Sequence, residues 1–439
     1  MIGVLIRKFM KTIKVFEHTY LNIDEENFTQ SHFKLLVKYN ERFGNKYFNV
    51  GHNRIYFKNY VGVFQVGNLI IEILPKADKS EMNSEAVINK WHKALIYMLQ
   101  ICGYLKINSI SRAELQLQNI TLIDLYFKLF IDEIKTILNS GLTKRYRHTA
   151  RNLSYLKGRI VFNKHLTDNL LHKEKFYTIH QVYDYNNVYN KIILKALLAL
   201  KDINKNNSLY SEISDLLVTF DGIDNIIIYD KIFDSLVYNR NTQRYKNAIT
   251  LARMILQNYS PDVQNGDNSV IGILFDMNNL FEKVVYKIIK NNEHKFSDKN
   301  LILRRQHSRK FWNGKAIRPD IFGEYKSENG KITQRFVIDT KWKMPYNSFP
   351  DDADLKQMFA YNIHFGSQQS VLVYPRVKDC SIIGLPFNES EAVKEGYNKH
   401  SCATFFIDLF TNEGRLNKNA GDKIISNLLS ENCTEQRVN

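Results

Sequence analysis

The stretch Ala316 to Lys343 reads AIRPDIFGEYKSENGKITQRFVIDTKWK, and the C-terminal half of the chain is best read outward from it. Ile317 to Tyr325 and Ile332 to Lys341 are rich in β-branched and aromatic residues, and Ser327 to Lys331 between them carries an Asn-Gly pair suited to a tight turn. The pattern predicts two antiparallel strands. Strand side chains alternate with a period of two, so Asp339 and Lys341 are expected on one face while Thr340 points away. The turn lies roughly midway between Asp320 and Asp339, which sets Asp320 on the partner strand near the same end. Two carboxylates and one ammonium are thereby expected to converge.

That set suits hydrolysis of a phosphodiester. Carboxylate oxygens match Mg²⁺, which accepts one or two of them and completes its shell with water and phosphate oxygens. A neighbouring lysine can orient or deprotonate the attacking water and offset negative charge as it develops. An Asp-x-Lys triplet alone arises by chance in most chains of this length. The Pro319-Asp320 pair, the hairpin and the apolar Phe336-Val337-Ile338 before Asp339 give it weight.

Helices are expected on either side of the hairpin. Gly272 to Lys290 brings Leu280, Phe281, Val284, Val285, Ile288 and Ile289 to one face, with Glu282 near the start as a candidate third metal ligand. Asp354 to Phe365 places Leu355, Met358, Phe359 and Ile363 on one stripe and leaves Gln357 and Tyr361 as an i, i+4 pair. Gln357 and Tyr361 are candidate active-site or DNA-positioning residues.

The order Glu282, Pro319-Asp320, Asp339-Thr340-Lys341, then Asp354, Gln357 and Tyr361 resembles the PD-(D/E)xK nuclease superfamily. More narrowly, the chain resembles the McrC family, the nuclease subunits of McrBC modification-dependent restriction systems. Three stretches carry the narrower resemblance: Tyr60 to Lys76 (YVGVFQVGNLIIEILPK), Lys144 to Lys164 (KRYRHTARNLSYLKGRIVFNK) and Tyr183 to Leu200 (YDYNNVYNKIILKALLAL). It runs from about residue 60 to residue 365; the first fifty residues and the C-terminal tail match nothing specific. Asp184-Tyr185 stands where a more acidic pair is expected, and none of the nuclease carboxylates is replaced.

The resemblance implies a DNA endonuclease that uses Mg²⁺ or Mn²⁺ held by Asp320, Asp339 and Glu282, with Lys341, Gln357 and Tyr361 completing the catalytic set. It also implies docking of residues 1–145 onto a McrB-like hexameric AAA+ GTPase, with Gly62 to Lys76 a candidate contact. GTP would act only through that partner, whose hydrolysis McrC-like subunits stimulate, and site recognition would belong to the partner too. No phosphate loop of its own is visible: Gly330-Lys331-Ile332 lacks both the first glycine and the Ser/Thr of a Walker A motif. A standalone nuclease of repair or mobile-element type, and a non-catalytic activator of an AAA+ motor, are the alternatives.

A chain of 439 residues with 44% hydrophobic residues can bury two or three cores, which excludes a disordered protein. A formal net charge of +16 points to a polyanionic partner, with nucleic acid the leading candidate; the family resemblance implies that it is double-stranded DNA. Lys144 to Lys175 holds nine cations against two acids. A second basic cluster, Arg304, Arg305, Arg309, Lys310, Lys315 and Arg318, surrounds Phe311 and Trp312 and is a candidate phosphate track beside the site. Cys102, Cys380, Cys402 and Cys433 form no CxxC, and the histidines form no HxxxH pair, which speaks against structural zinc and a disulfide framework. The short apolar run before Arg7-Lys8 does not suit a signal peptide, and IILKALLAL is interrupted by Lys195, so a cytoplasmic protein without membrane association is expected.

The expected architecture is α+β and multidomain. A β-rich N-terminal domain with helices covers 1–145, with strands near 33–39, 54–57, 61–66 and 69–74 and helices from Glu85 and Leu122. A basic, mainly helical middle region covers 146–262, with helices near 188–202, 209–219 and 243–257. A C-terminal α/β PD-(D/E)xK nuclease domain, a mixed sheet flanked by helices, covers 263–439, after a linker at Tyr259 to Asn268.

Overall fold

The structure is a computed structural model that describes residues 10–75, 84–105, 121–204, 209–260, 269–292, 301–326, 332–376, 383–387, 400–409, 411, 417 and 420–429. The Ser327 to Lys331 turn, Lys76, His294, Cys380, Cys433 and most of the expected linker lie outside these residues.

Tyr60–Val66 and Leu69–Leu74 pair as an antiparallel hairpin within a five-stranded sheet. Lys11–Phe16 runs parallel to Leu69–Leu74, and Val270–Asp276 and Tyr259–Ser260 extend the other side antiparallel. Both faces are covered, which is why these strands read as nearly unbroken apolar runs. One face packs Phe64, Val66, Ile71 and Ile73 against Tyr39 of the helix Gln30–Arg42 and against Phe48, Ile55 and Phe57 of a small three-stranded sheet. The other packs Val61, Val63, Ile70 and Leu74 against residues of the helices Glu85–Ile101, Leu122–Asn139, Val188–Ile203 and Met277–Asn291.

Several expectations need correction. Residues 33–39 are helical: Thr29 caps the helix through a capping box with His32, and Leu36, Tyr39 and Asn40 are buried at helical spacing. The helix expected from Gly272 starts only at Met277, where Asp276 accepts a bond from the backbone of Asn279; Gly272 to Asp276 belong to a strand. That strand joins the N-terminal sheet, although it lies beyond the expected boundary at 263. The strands of the Gly62 to Leu74 hairpin are buried, so within it only the turn at Gly67 and Asn68 reaches the surface.

The middle region opens with strands rather than helices. Arg145–Leu153, Phe176–Asp184 and Arg159–Ile160 form an antiparallel three-stranded sheet. Its burial alternates instead of following a helical stripe, and Tyr146 and Tyr183 pack across the strands at 4.8 Å between ring centroids. Asp184 accepts from Arg147 Nη2 at 2.8 Å and from the Asn186 backbone at 3.0 Å, which gives the Asp184-Tyr185 position a structural role at the base of this sheet. The helices Val188–Ile203, Leu209–Val218 and Lys246–Asn258 follow as expected.

The C-terminal sheet has six strands in the order Leu301–Arg305, Ile321–Lys326, Ile332–Thr340, Gln369–Pro375, Ser401–Ile407 and Gly384–Pro386. It is mixed: Ile332–Thr340, Gln369–Pro375 and Ser401–Ile407 run parallel, and the other pairings are antiparallel. Phe336 and Ile338 face the core that contains the Met277–Asn291 helix, while Val337 and Leu372 face Met358, Tyr361 and Phe365 of the helix Asp352–Phe365. Of the stripe expected there, Met358 is buried and Leu355 packs against the same core, while Phe359 and Ile363 are half-buried and Asp354, Tyr361, Asn362 and Phe365 are the other buried positions. Among the described residues no helix is long and apolar enough to cross a membrane, and Cys102 and Cys402 are free and buried.

The two sheets meet at Trp342, directly after the strand that bears Asp339. Its indole Nε1 donates to Glu17 Oε1 at 2.7 Å, and its ring packs 5.1 Å from Phe281 and 6.2 Å from Trp91. Glu17 is fully buried, so this bond helps satisfy a carboxylate that has no access to solvent. Replacing Trp342 by Phe should remove one donor from Glu17 and part of the packing on Phe281 and Trp91, costing at least about 1–3 kcal/mol, read as a lower thermal midpoint; an unchanged midpoint would show that neither contributes. Gly62 has φ +137°, and a Cβ there would lie 2.1 Å from the Ile273 carbonyl oxygen. Gly62→Ala should therefore destabilise the chain by more than about 1 kcal/mol in chemical denaturation, against the small gain expected where alanine fits.

Candidate active site

Asp339 lies next to the end of its strand, 3% exposed and paired in register with Leu372. Lys341 follows on the same side, with Nζ 2.8 Å from Asp339 Oδ2, as the strand period requires. Burial, reinforced by the neighbouring Asp320 and opposed by Lys341, pushes the Asp339 carboxyl up to about 7. Burial pulls the Lys341 ammonium down, but Asp339, with Asp354 and Asp320 behind it, outweighs that and holds the lysine above its ordinary value.

The lysine is fixed from its other side as well. Its Nζ donates to Gln357 Oε1 at 3.0 Å, Gln357 Nε2 donates to the Tyr361 hydroxyl at 2.7 Å, and that hydroxyl donates to the Arg318 carbonyl at 3.0 Å. The i, i+4 spacing on the Asp352–Phe365 helix makes the relay possible. Asp354, one turn earlier, lies 3.5 Å from Lys341 Nζ and 2.7 Å from Lys343 Nζ.

Asp320 arrives by a different route from the one expected. The strand foreseen from Ile317 is interrupted, because Pro319 has no N–H for a ladder; Lys315–Ile317 pairs instead with Arg309–Trp312 as a separate ribbon, and the sheet strand starts at Ile321. Asp320 Oδ2 accepts from the Thr340 backbone N–H at 2.7 Å and from its hydroxyl at 2.6 Å. Thr340, which alternates to the face opposite Asp339 and Lys341, is thus what holds Asp320 in place.

Glu282 lies on the Met277–Asn291 helix, within reach of the charge of Asp320, and its oxygens are bonded to neighbours of that residue. Its Oε1 accepts from Arg305 Nε at 2.9 Å and its Oε2 from Gln306 Nε2 at 3.0 Å. Burial, followed by the charge of Asp320, raises its carboxyl above the ordinary value. Among the described residues no three Asp, Glu, His or Cys side chains stand close enough together to enclose a metal ion. The oxygen donors Asp320 and Asp339 nevertheless fit a hard divalent cation: they form a like-charge pair, one member buried, whose shared ionisation a cation between them would favour, and Mg²⁺ needs only one or two protein carboxylates.

The expected phosphate track divides. Arg304, itself exposed, pairs with the buried Glu324 at 2.9 Å, and the half-buried Arg305 pairs with Glu282 at 2.9 Å, so each already has a carboxylate partner. Arg309 donates to the His364 carbonyl at 2.7 Å and stacks on Phe365 at 4.7 Å. Lys310 and Arg318 are exposed. Asp354 stands in the motif order read from the sequence, but its pairing with Lys343 and the bonds from Thr340 to Asp320 carried no signal there, because they depend on where the chain bends after the strand ends.

A family model described as McrBC 5-methylcytosine restriction system component matches residues 55–375. Among solved structures, a chain of a half-complex from the tetradecameric assembly of Thermococcus gammatolerans McrB AAA+ hexamers with bound McrC is similar, with a TM-score of 0.66 and 18% identity over 95% of this chain and 100% of that one. A chain of the Thermococcus gammatolerans McrBC complex aligns with a TM-score of 0.48 and 18% identity over 81% of this chain and 99% of that one. No curated protein matches. At 18% identity the first of these likenesses establishes a shared fold, and the family match, which covers most of the sequence, establishes descent: the chain belongs to the family of McrBC 5-methylcytosine restriction system components.

Proposed function

We propose that this chain is the DNA-cutting component of a McrBC-like restriction complex and hydrolyses phosphodiester bonds with Mg²⁺ or Mn²⁺. The observation that carries the reading is the convergence of Asp320, Asp339, Lys341 and Gln357 at one end of a mixed sheet, within a chain of this family. Asp320 and Asp339 would hold the cation. When bound, it would polarise the scissile phosphate and lower the pKa of water nearby. Lys341, held by Asp339 and Gln357, presents a fixed ammonium toward the same place, where it can orient water and offset charge on the phosphate. Thr340 keeps Asp320 oriented, and Glu282 serves at one remove, linking its helix to Arg305 and Gln306 beside Asp320. Lys310 and Arg318, exposed near the ribbon, are the best placed of the basic cluster to meet the DNA backbone.

A structure similar in fold contains McrB AAA+ hexamers with bound McrC. By that likeness we infer docking on a separate AAA+ GTPase through the N-terminal region, with GTP acting only through the partner.

Asp339→Ala should abolish DNA cleavage by the reconstituted complex while GTPase stimulation persists; chelation of divalent cations should also stop cleavage by the unaltered protein, but together with the partner's Mg²⁺-dependent GTP hydrolysis. If Asp339→Ala cuts DNA at the unaltered rate, the site assignment is wrong; cleavage by the isolated chain with Mg²⁺ alone would favour a standalone nuclease. Gln357→Ala releases Lys341 without touching a carboxylate, so cleavage should fall roughly tenfold to a hundredfold at an unchanged thermal midpoint, the usual range for a residue that orients a ligand or catalytic group.

A further inference from the structure

We infer that the ribbon Arg309–Trp312 and Lys315–Ile317, together with the Asp352–Phe365 helix, forms a slot for one unstacked base of the DNA strand being cut. This rests on the nuclease reading above and specifies how the substrate is held. The ribbon pairs with itself and stands outside the six-stranded sheet. Its base is clamped on the helix: Arg309 stacks on Phe365 and bonds the His364 carbonyl, Phe311 packs edge-on against His364 at 4.9 Å, and the Arg318 carbonyl accepts from Tyr361.

Between ribbon and helix lies a cleft of about 490 Å³, walled by Phe311, Ile317 and Arg318 on one side and by Gln357, Ala360 and Tyr361 on the other. That volume falls in the range that takes a small organic group, roughly 300–1,000 Å³. Three features single out a nucleobase. The lining brings the aromatic side chains of Phe311 and Tyr361 together with the polar side chains of Ser308, Gln357 and Arg318, the mixture of ring carbon and polar groups that a base in a pocket meets. Trp312, next to the cleft, is 75% exposed and Phe311 51%, among the exposed cations Lys310, Lys315 and Arg318 that would meet the flanking phosphates. Gln357 is at once a wall of the cleft and the partner of Lys341, so an occupant would sit one side chain away from the reacting phosphate.

The test uses the full chain carrying Asp339→Asn, so that DNA stays intact, and duplexes with 2-aminopurine in place of adenine. Binding is followed by anisotropy and unstacking by 2-aminopurine emission. The expected result is a rise in emission on binding that is lost in Phe311→Ala and in Ala360→Leu, which fills the cleft, while both variants still bind. Trp312 is more exposed than Trp342, which is 9% exposed, so DNA should quench tryptophan emission in a manner that Trp312→Phe removes. Flat 2-aminopurine emission in a bound complex would overturn the slot and leave the nuclease reading standing. Absence of DNA binding, with or without the partner GTPase, would overturn both.

Discussion

A carboxylate has been placed where water barely reaches it, and much of the C-terminal architecture answers that fact. Asp339 sits 3% exposed between two strands and beside a second acid, Asp320. An isolated charge in such a place is strongly disfavoured, so it must be paired. Lys341 supplies the pairing because strand geometry returns it to the same face. The lysine in turn is held by Gln357 and Asp354, and the helix that carries both packs on that face of the sheet. Asp320 is held separately, by the backbone and hydroxyl of Thr340. The result is a chain of mutually dependent polar groups, satisfied inside and open toward the ribbon.

Much of this is legible from residue order. Period-two alternation predicts the Asp339–Lys341 pairing, and i, i+4 spacing predicts the Gln357–Tyr361 bond. Both are local rules, and both hold. What escapes the sequence depends on contacts between distant segments or on a break in regular structure. Pro319 ends one ribbon before the next strand begins, and Asp320 reaches Thr340 across that break. Glu282 shows the opposite case: its helix is plain in the sequence, but Arg305 and Gln306, which take up both its oxygens, are not marked as its partners by any spacing.

The same division explains the fold-level corrections. Residues 33–39 alternate well enough to imitate a strand, yet a capped helix wins once Thr29 and His32 close its first turn. Gly272 to Asp276 extends the apolar pattern of a helix, yet pairs with Tyr60–Val66 because that sheet has a free edge to fill. The Arg145–Asp184 segment is rich in charge and lacks an apolar stripe, and cross-strand pairs such as Tyr146–Tyr183 and Arg147–Asp184 stabilise it instead.

The pairing of Tyr60–Val66 with Val270–Asp276 also constrains how the chain is made. Val66 and Val270 are partners across more than two hundred residues of intervening sequence. During synthesis the early hairpin leaves the ribosome with one edge unpaired until that distant strand emerges. An apolar strand with an open edge is the kind of surface that recruits the wrong neighbour. Closure of the N-terminal sheet is thus a late, long-range event in biogenesis, and the strand that accomplishes it runs directly into the helix bearing Glu282.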